Sequence, residues 1–413
     1  MHSRLRMLKK SPDGEPAGAV RAGGPELSGT NHERAGDHNQ RVTLHAIRVN
    51  GLVTRTDLAA MTGLTAGAIA NITKRLLKDG LILEAGRLRG ARGQPATKLI
   101  INPDSCFSVG LNVDRDHITL VVLDFVGKVR ARSSREIPFA KPNTVRTFFQ
   151  RSIGQLLTKA GVSRDRLIGV GVAFPDDIAR AHLPEQPVDY AAWAFVKVDE
   201  LIRDVLGVPV FVENDAAAAA IGEMQFGSGQ QYRSFFYLLV TAALGGGLVV
   251  DGSYFRGANG RSGEIGWLHA LNDLGDDTQL QNIVSLSALY KRLADRGLRV
   301  ASPRGLTRLE SDARAVVDRW IRESTDALVN SFAAINCLIN PEAILIGGRL
   351  PAVLVDQLAA SLNESMGRLA AQLPAVAVVA RAATADDAPA VGAAILPFSD
   401  RFLPTRFALL KTT

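Results

Sequence analysis

Residues 54–80 read TRTDLAAMTGLTAGAIANITKRLLKDG, and this stretch decides how the chain is organised. Two helical patterns flank Gly63, where glycine permits a tight turn between helices. Thr54 or Thr56 can cap the first helix, which carries Leu58 and Met61. Thr65 is a natural cap for the second, and Ile69, Ile72 and Leu76 recur at helical spacing along its core side. The opposite face presents Ala66, Gly67, Ala68, Asn71, Lys74 and Arg75. That order suits a recognition helix, with N-terminal residues at base edges and basic residues at phosphates. The small residues at 66–68 allow close backbone approach or a thymine methyl contact, and Asn71 suits adenine.

Upstream, Asn39 is positioned to cap a helix bearing Leu44 and Ile47, which Gly51 would end. Downstream, residues 81–83 and 98–101 read as the strands of a hairpin. Its tip carries Arg89, Arg92, Gly93 and Gln94, and an arginine among glycines can enter a narrow minor groove. The expected head is a winged helix-turn-helix over 40–102, after a polar, disordered extension at 1–39. Charge supports this division. The chain has a net charge of +7, and residues 40–102 hold ten basic residues against three acidic ones. A local excess of this kind is the footprint of a nucleic-acid-binding module, and with the helix-turn-helix pattern the expected partner is double-stranded DNA.

Length and composition set the wider frame. At 413 residues the chain suggests more than one domain, and 46% hydrophobic residues suffice for a large core. No apolar run is long enough to span a membrane, and no apolar segment follows the basic N-terminus. Cys106 and Cys337 form neither a disulfide framework nor a zinc clip. A cytoplasmic protein is expected, with no membrane partner, metal or cofactor.

Beyond Pro103, strands and helices alternate, which implies an α/β body over 104–398 and a tail at 399–413. Strand patterns run over 109–113, 118–123 and 129–137, then 169–173, 208–212, 235–240, 247–250 and 343–346. A long helical pattern covers 316–338. Glu213-Asn214-Asp215 ends a strand before an alanine run, where carboxylate and amide can grip hydroxyls. Gly245, Gly246 and Gly247 would let backbone approach a ligand. A glycine-rich loop at 256–266 contains Glu264, and Trp267 follows it with a ring able to stack on a sugar or fill a core.

Taken in order, 213–216, 256–260, 263–266, 340–342 and Gly347-Gly348 resemble the ROK family of repressors, open reading frames and kinases. The resemblance covers roughly 40–398. It implies a two-lobed, actin-like, sugar-kinase-like fold with a ligand cleft between the lobes. It also implies that Asn214, Asp215 and Glu264 match sugar-contacting positions, and that Asp215 matches the base of the family's kinases.

The chain departs from the kinase pattern. Asn112-Val-Asp-Arg-Asp116 stands where the family's kinases have Asp-x-Gly-Gly-Thr. Charged side chains there would repel phosphate and block close backbone approach. Only the later half of the second phosphate loop survives, in 241–247. Trp267, Asn272, Leu274 and Gln279 stand where the family's zinc ligands belong, and Gln281 replaces a further sugar-contacting acid. The expectation is therefore a non-enzymatic transcription regulator: a repressor of carbohydrate-metabolism genes, acting as a homodimer or homotetramer on operator DNA. A sugar effector would bind at Asn214, Asp215, Glu264 and Trp267, leaving Asp215 vestigial as a catalyst. The alternatives are a ROK sugar kinase with a DNA-binding head and a ligand-independent DNA-binding dimer.

Overall fold

The computed structural model describes residues 32–88, 96–176, 178, 186–300, 302–384 and 387–404. The head comprises α1 (His32–Asn50), β1 (Val53–Thr54), α2 (Arg55–Thr62), α3 (Ala66–Lys78), β2 (Ile82–Leu88) and β3 (Ala96–Ile101). Its strands form an antiparallel sheet in the order β1-β3-β2. Thr54 caps α2 through a capping box with Asp57, and Gly63 takes the left-handed conformation at φ 70°. Thr65 caps α3 by accepting from the Ala68 amide. Leu44, Ile47, Leu58, Ile69, Leu76 and Leu99 close the head's core.

The expected cap at Asn39 does not form, because α1 runs through that residue. The Asn39 carbonyl accepts from the Thr43 hydroxyl at 2.8 Å inside the helix. Asparagine caps a helix only where the preceding chain leaves helical geometry, and here it does not.

The body repeats one plan twice. The first lobe holds β4 (Phe107–Val113), β5 (His117–Asp124), β6 (Val129–Glu136), α4 (Pro142–Ala160), β7 (Leu167–Ala173), α5 (Val198–Leu206) and β8 (Val210–Glu213). Its sheet order is β6-β5-β4-β7-β8, with β5 antiparallel to β4 and β6, and β7 parallel to β4 and β8. Then follow α6 (Asp215–Phe226), β9 (Phe235–Val240), β10 (Leu244–Val250), β11 (Ser253–Tyr254), β12 (His269–Leu271) and β13 (Asp277–Gln279). The chain continues through α7 (Leu286–Ala294), α8 (Ser311–Leu338), β14 (Ala343–Gly348), α9 (Ala352–Leu369), β15 (Val378–Arg381) and α10 (Ala388–Arg401). The second sheet has the matching order β11-β10-β9-β14-β15. β4 and β5 are buried throughout, as are β9 and β14, which accounts for their near-continuous apolar runs.

The lobes meet through two helices of small residues. α10 lies on the first sheet and α6 on the second, and they pack closely on each other. Ala216 to Ala220 are all buried, so the alanine run serves this contact. A side chain at Gly222 would come within 3.1 Å of the Gly392 Cα. Larger residues would drive the helices, and hence the lobes, apart. No helix among the described residues is long and apolar enough to cross a membrane.

Candidate functional site

The outer face of α3 leaves Thr65, Ala66, Gly67, Asn71, Lys74 and Arg75 exposed, with Ala68 half-buried. The inner face buries Ile69, Thr73 and Leu76, while Ile72 is half-buried. Thr73 accepts from the Arg55 guanidinium at 2.9 Å, a tie between the helices that apolar periodicity could not reveal. A Cβ built on Gly67 meets nothing within 4 Å, so the head's own packing does not require glycine there. Arg89, Arg92, Gly93 and Gln94 lie outside the described residues.

A cleft lies between the lobes, lined by residues of both. Asn214, Asp215, Glu264 and Trp267 all line it, so the structure brings the four expected ligand residues together. Asn214 is held by its capping role. Its side-chain oxygen accepts from the Ala216 and Ala217 amides, and its nitrogen donates to Asp176 at 3.1 Å. Asp215 opens α6 behind it and is 8% exposed. Burial, reinforced by Asp114, pushes its carboxyl up to about 7, against the opposing pull of Arg115 and the Ala216 amide. Glu264 pairs with Arg261 at 2.9 Å on the facing wall. Trp267 is 42% exposed on the rim, which suits stacking on a ligand and not core filling.

Arg115, Asp176 and Gln281 also line the cleft. Sequence position marks Arg115 only as an obstruction to phosphate, because it does not reveal which way a turn aims its side chains. Asp176 carried no recognisable sequence signal. Gly245 and Gly246 reach the cleft, but Gly247 makes room for α6: a Cβ there would lie 2.6 Å from the Ala220 Cβ and 2.8 Å from the Ala216 carbonyl.

The turn after β4 carries an ion-pair latch between the lobes. Asp116 accepts from Arg349, which follows β14, at 2.8 Å and from His117 at 2.6 Å. Arg349 also donates to Glu136. Burial alone would raise the Asp116 carboxyl, but His117 and Arg349 hold it below the usual range. Asp114, Asp116 and His117 could together present ligand atoms to a metal. Asp116, however, already pairs with Arg349, and the other His117 nitrogen lies 3.1 Å from the Asn112 amide. The family's zinc does not fit the β12–β13 hairpin. Asn272 shapes its turn by accepting from the Leu274 and Asp276 amides, and His269 pairs with Asp277. Asn272, Leu274 and Gln279 supply no thiolate or imidazole.

One helix links cleft and head. α6 begins at Asp215 in the cleft and ends at Phe226 beneath α1. Arg48 donates to the Gln225 carbonyl at 3.3 Å and to its side chain, and its guanidinium lies 4.9 Å from the Phe226 ring centre. Arg41 donates to the Asp400 and Leu403 carbonyls at the end of α10. Both arginines thus bind carbonyls at helix C-termini, which carry partial negative charge. Burial lowers the Arg48 guanidinium to about 10. Burial, with Arg48 nearby, lowers the His45 imidazole to about 4.

The ROK family model matches residues 108–399, and a winged helix-turn-helix DNA-binding model matches residues 37–82. The xylose repressor of Caldicellulosiruptor bescii is 25% identical over 341 residues, covering 77% of this chain and 85% of the repressor. The DNA-binding transcriptional dual regulator NagC of Escherichia coli is 24% identical over 261 residues, covering 62% of this chain and 63% of NagC. The crystal structure of a ROK family transcriptional regulator, a homolog of the E. coli MLC protein, superposes with a TM-score of 0.64 at 21% identity. It covers 89% of this chain and 96% of that one, and shows a shared fold.

Proposed function

The chain belongs to the ROK family, and from that premise we propose that it is a transcriptional repressor of carbohydrate-use genes whose hold on operator DNA responds to a sugar or sugar derivative. One observation carries the reading: α6 has Asp215 in the cleft at its first residue and the Arg48 contact at its last turn. Twelve helical residues span about 18 Å, short enough for a rigid link. A ligand that shifts the N-terminus of α6 would then shift the seat of the head. Coupling follows if the ligand binds one arrangement more tightly than the other.

The division into a head at 40–102 and a sensing body at 104–398 belongs to this proposal. So do α3 and the tip residues Arg89, Arg92, Gly93 and Gln94 as the DNA surface. A homodimer would place two heads on two half-sites. The latch and the charged 112–116 turn stand where phosphate-binding backbone would be needed, which favours sensing over phosphoryl transfer.

The test is operator binding by fluorescence anisotropy, on sites found by genomic footprinting, with and without a sugar panel. An active sugar should change operator affinity in the native protein. Arg48→Ala should retain sugar binding and lose most of that change. A protein with no DNA sites, or an Arg48→Ala variant with an undiminished response, would overturn the reading. A second reading, a sugar kinase with a DNA-binding head, draws on Asp215 being held near neutrality. It requires ATP-dependent sugar phosphorylation that disappears in Asp215→Ala.

A further inference from the structure

We propose that the effector is a sugar acid, a sugar derivative carrying one carboxylate, and that Arg115 holds that carboxylate. The proposal rests on the reading of the cleft as the effector site. Arg115 sits on the turn between β4 and β5, is 6% exposed, and lines the cleft beside Asp176, Asn214 and Asp215. Its Nε is buried and has no hydrogen-bond partner among the described residues. Its ion-pair neighbour is Asp114 at 3.9 Å, beyond hydrogen-bonding distance. Two half-buried arginines of the body differ. Arg349 is taken up by Asp116 and Glu136, and Arg292 by Glu323 and the Ala288 carbonyl.

A buried guanidinium nitrogen without an acceptor is costly, and the cleft is the open side from which an acceptor can arrive. A guanidinium presents parallel donors in one plane, which a carboxylate matches with two oxygens. A sugar hydroxyl offers a single acceptor and no charge. The surroundings also limit the ligand's charge. Asp114 and Asp176 stand close by, and Asp215 adjoins them. Arg261, the second cation of the cleft, is paired with Glu264, so the single guanidinium of Arg115 beside these acids suits a monoanion better than a phosphate dianion.

Asp215 then gains a role. With its carboxyl pushed up to about 7, it can take a proton as the acid arrives and donate it in a hydrogen bond. The groups facing it are Asp114 and Arg115 on the β4–β5 turn, Asp176 after β7, and the Ala216 amide. Binding should therefore weaken as pH rises above about 7. Glu264, Arg261, Gln281 and Trp267 remain for hydroxyls and the ring face.

The experiment is calorimetric titration of the full chain with glucose, gluconate, glucuronate, galacturonate and glucose 6-phosphate, alongside operator binding with each. At least one sugar acid should bind about tenfold or more tightly than glucose and the phosphate. Arg115→Gln should remove that advantage, and Arg115→Lys should keep part of it. Where Arg115→Gln fails to fold, the ligand ranking of the native protein and the Arg115→Lys titration decide. Glucose or the phosphate binding as well as the acids, no binding by any acid, or acid affinity surviving Arg115→Gln would each overturn the proposal. Release of the operator by a neutral sugar would leave the repressor reading standing and sink this one alone. If none of the compounds binds or alters operator affinity, both lose their support.

Discussion

Gly247 offers a sharp test of how α6 is seated. It lies on β10 directly beneath that helix. A methyl group there would sit 2.6 Å from the Ala220 Cβ and 2.8 Å from the Ala216 carbonyl oxygen. Ordinary contact between such atoms needs about 3.5 Å or more, so α6 must lift by roughly 1 Å or β10 must yield. Both obstructing atoms belong to one helix that is itself wedged against α10, so no flexible side chain can absorb the change. Overpacking of this kind costs about 1–3 kcal/mol. The control is Gly154→Ala in α4, where a Cβ meets nothing within 4 Å. There, loss of glycine's backbone freedom should stabilise by about 0.5–1 kcal/mol. Urea denaturation of both variants should therefore separate them by roughly 1.5–4 kcal/mol, with opposite signs against the native chain. Because α6 also carries Asp215, Gly247→Ala should weaken ligand binding and Gly154→Ala should not. Equal stability of the two variants would refute the argument that Gly247 exists to admit α6.

Further outcomes follow from the same geometry. Gly67→Ala should raise the head's stability by about 0.5–1 kcal/mol, since helical Gly67 has open space around it, yet weaken operator binding if DNA backbone approaches there; unchanged anisotropy titrations would remove Gly67 from the interface. Asp215 holds its proton more tightly in the folded chain, so its contribution lowers stability by about 1.4 kcal/mol per pH unit from about pH 4 to about 7. Asp215→Asn should flatten that fall in urea titrations across pH, and an unchanged slope would refute the assignment. Arg349→Ala leaves Asp116 and Glu136 facing each other without their cation and should cost about 1–3 kcal/mol; a smaller loss, measured by calorimetry, would show that the latch adds little. Lys74→Ala should weaken binding to all DNA sequences alike and reduce the salt slope by about 1, whereas a change in sequence preference would make Lys74 a base reader.

The sequence by itself determined the elements whose signals are local. Gly63 and Thr65 set the helix-turn-helix because a left-handed residue and a capping hydroxyl act within a few positions. The strands at 235–240 and 343–346 were legible as apolar runs, since a strand covered on both faces leaves no alternation to confuse the reading. Asn214, Asp215, Glu264 and Trp267 could be chosen from motif and resemblance. Their convergence on one cleft required the fold, because that cleft joins segments from both lobes. Asn39 shows the limit of a local rule: its capping chemistry is real, but the upstream chain stays helical. Tertiary structure alone decided three further points. It aimed Arg115 into the cleft, paired Asp116 with Arg349 across the lobes, and laid α6 between Asp215 and Arg48. Each depends on which atoms stand opposite across lobes or domains. Spacing along the chain carries no record of that.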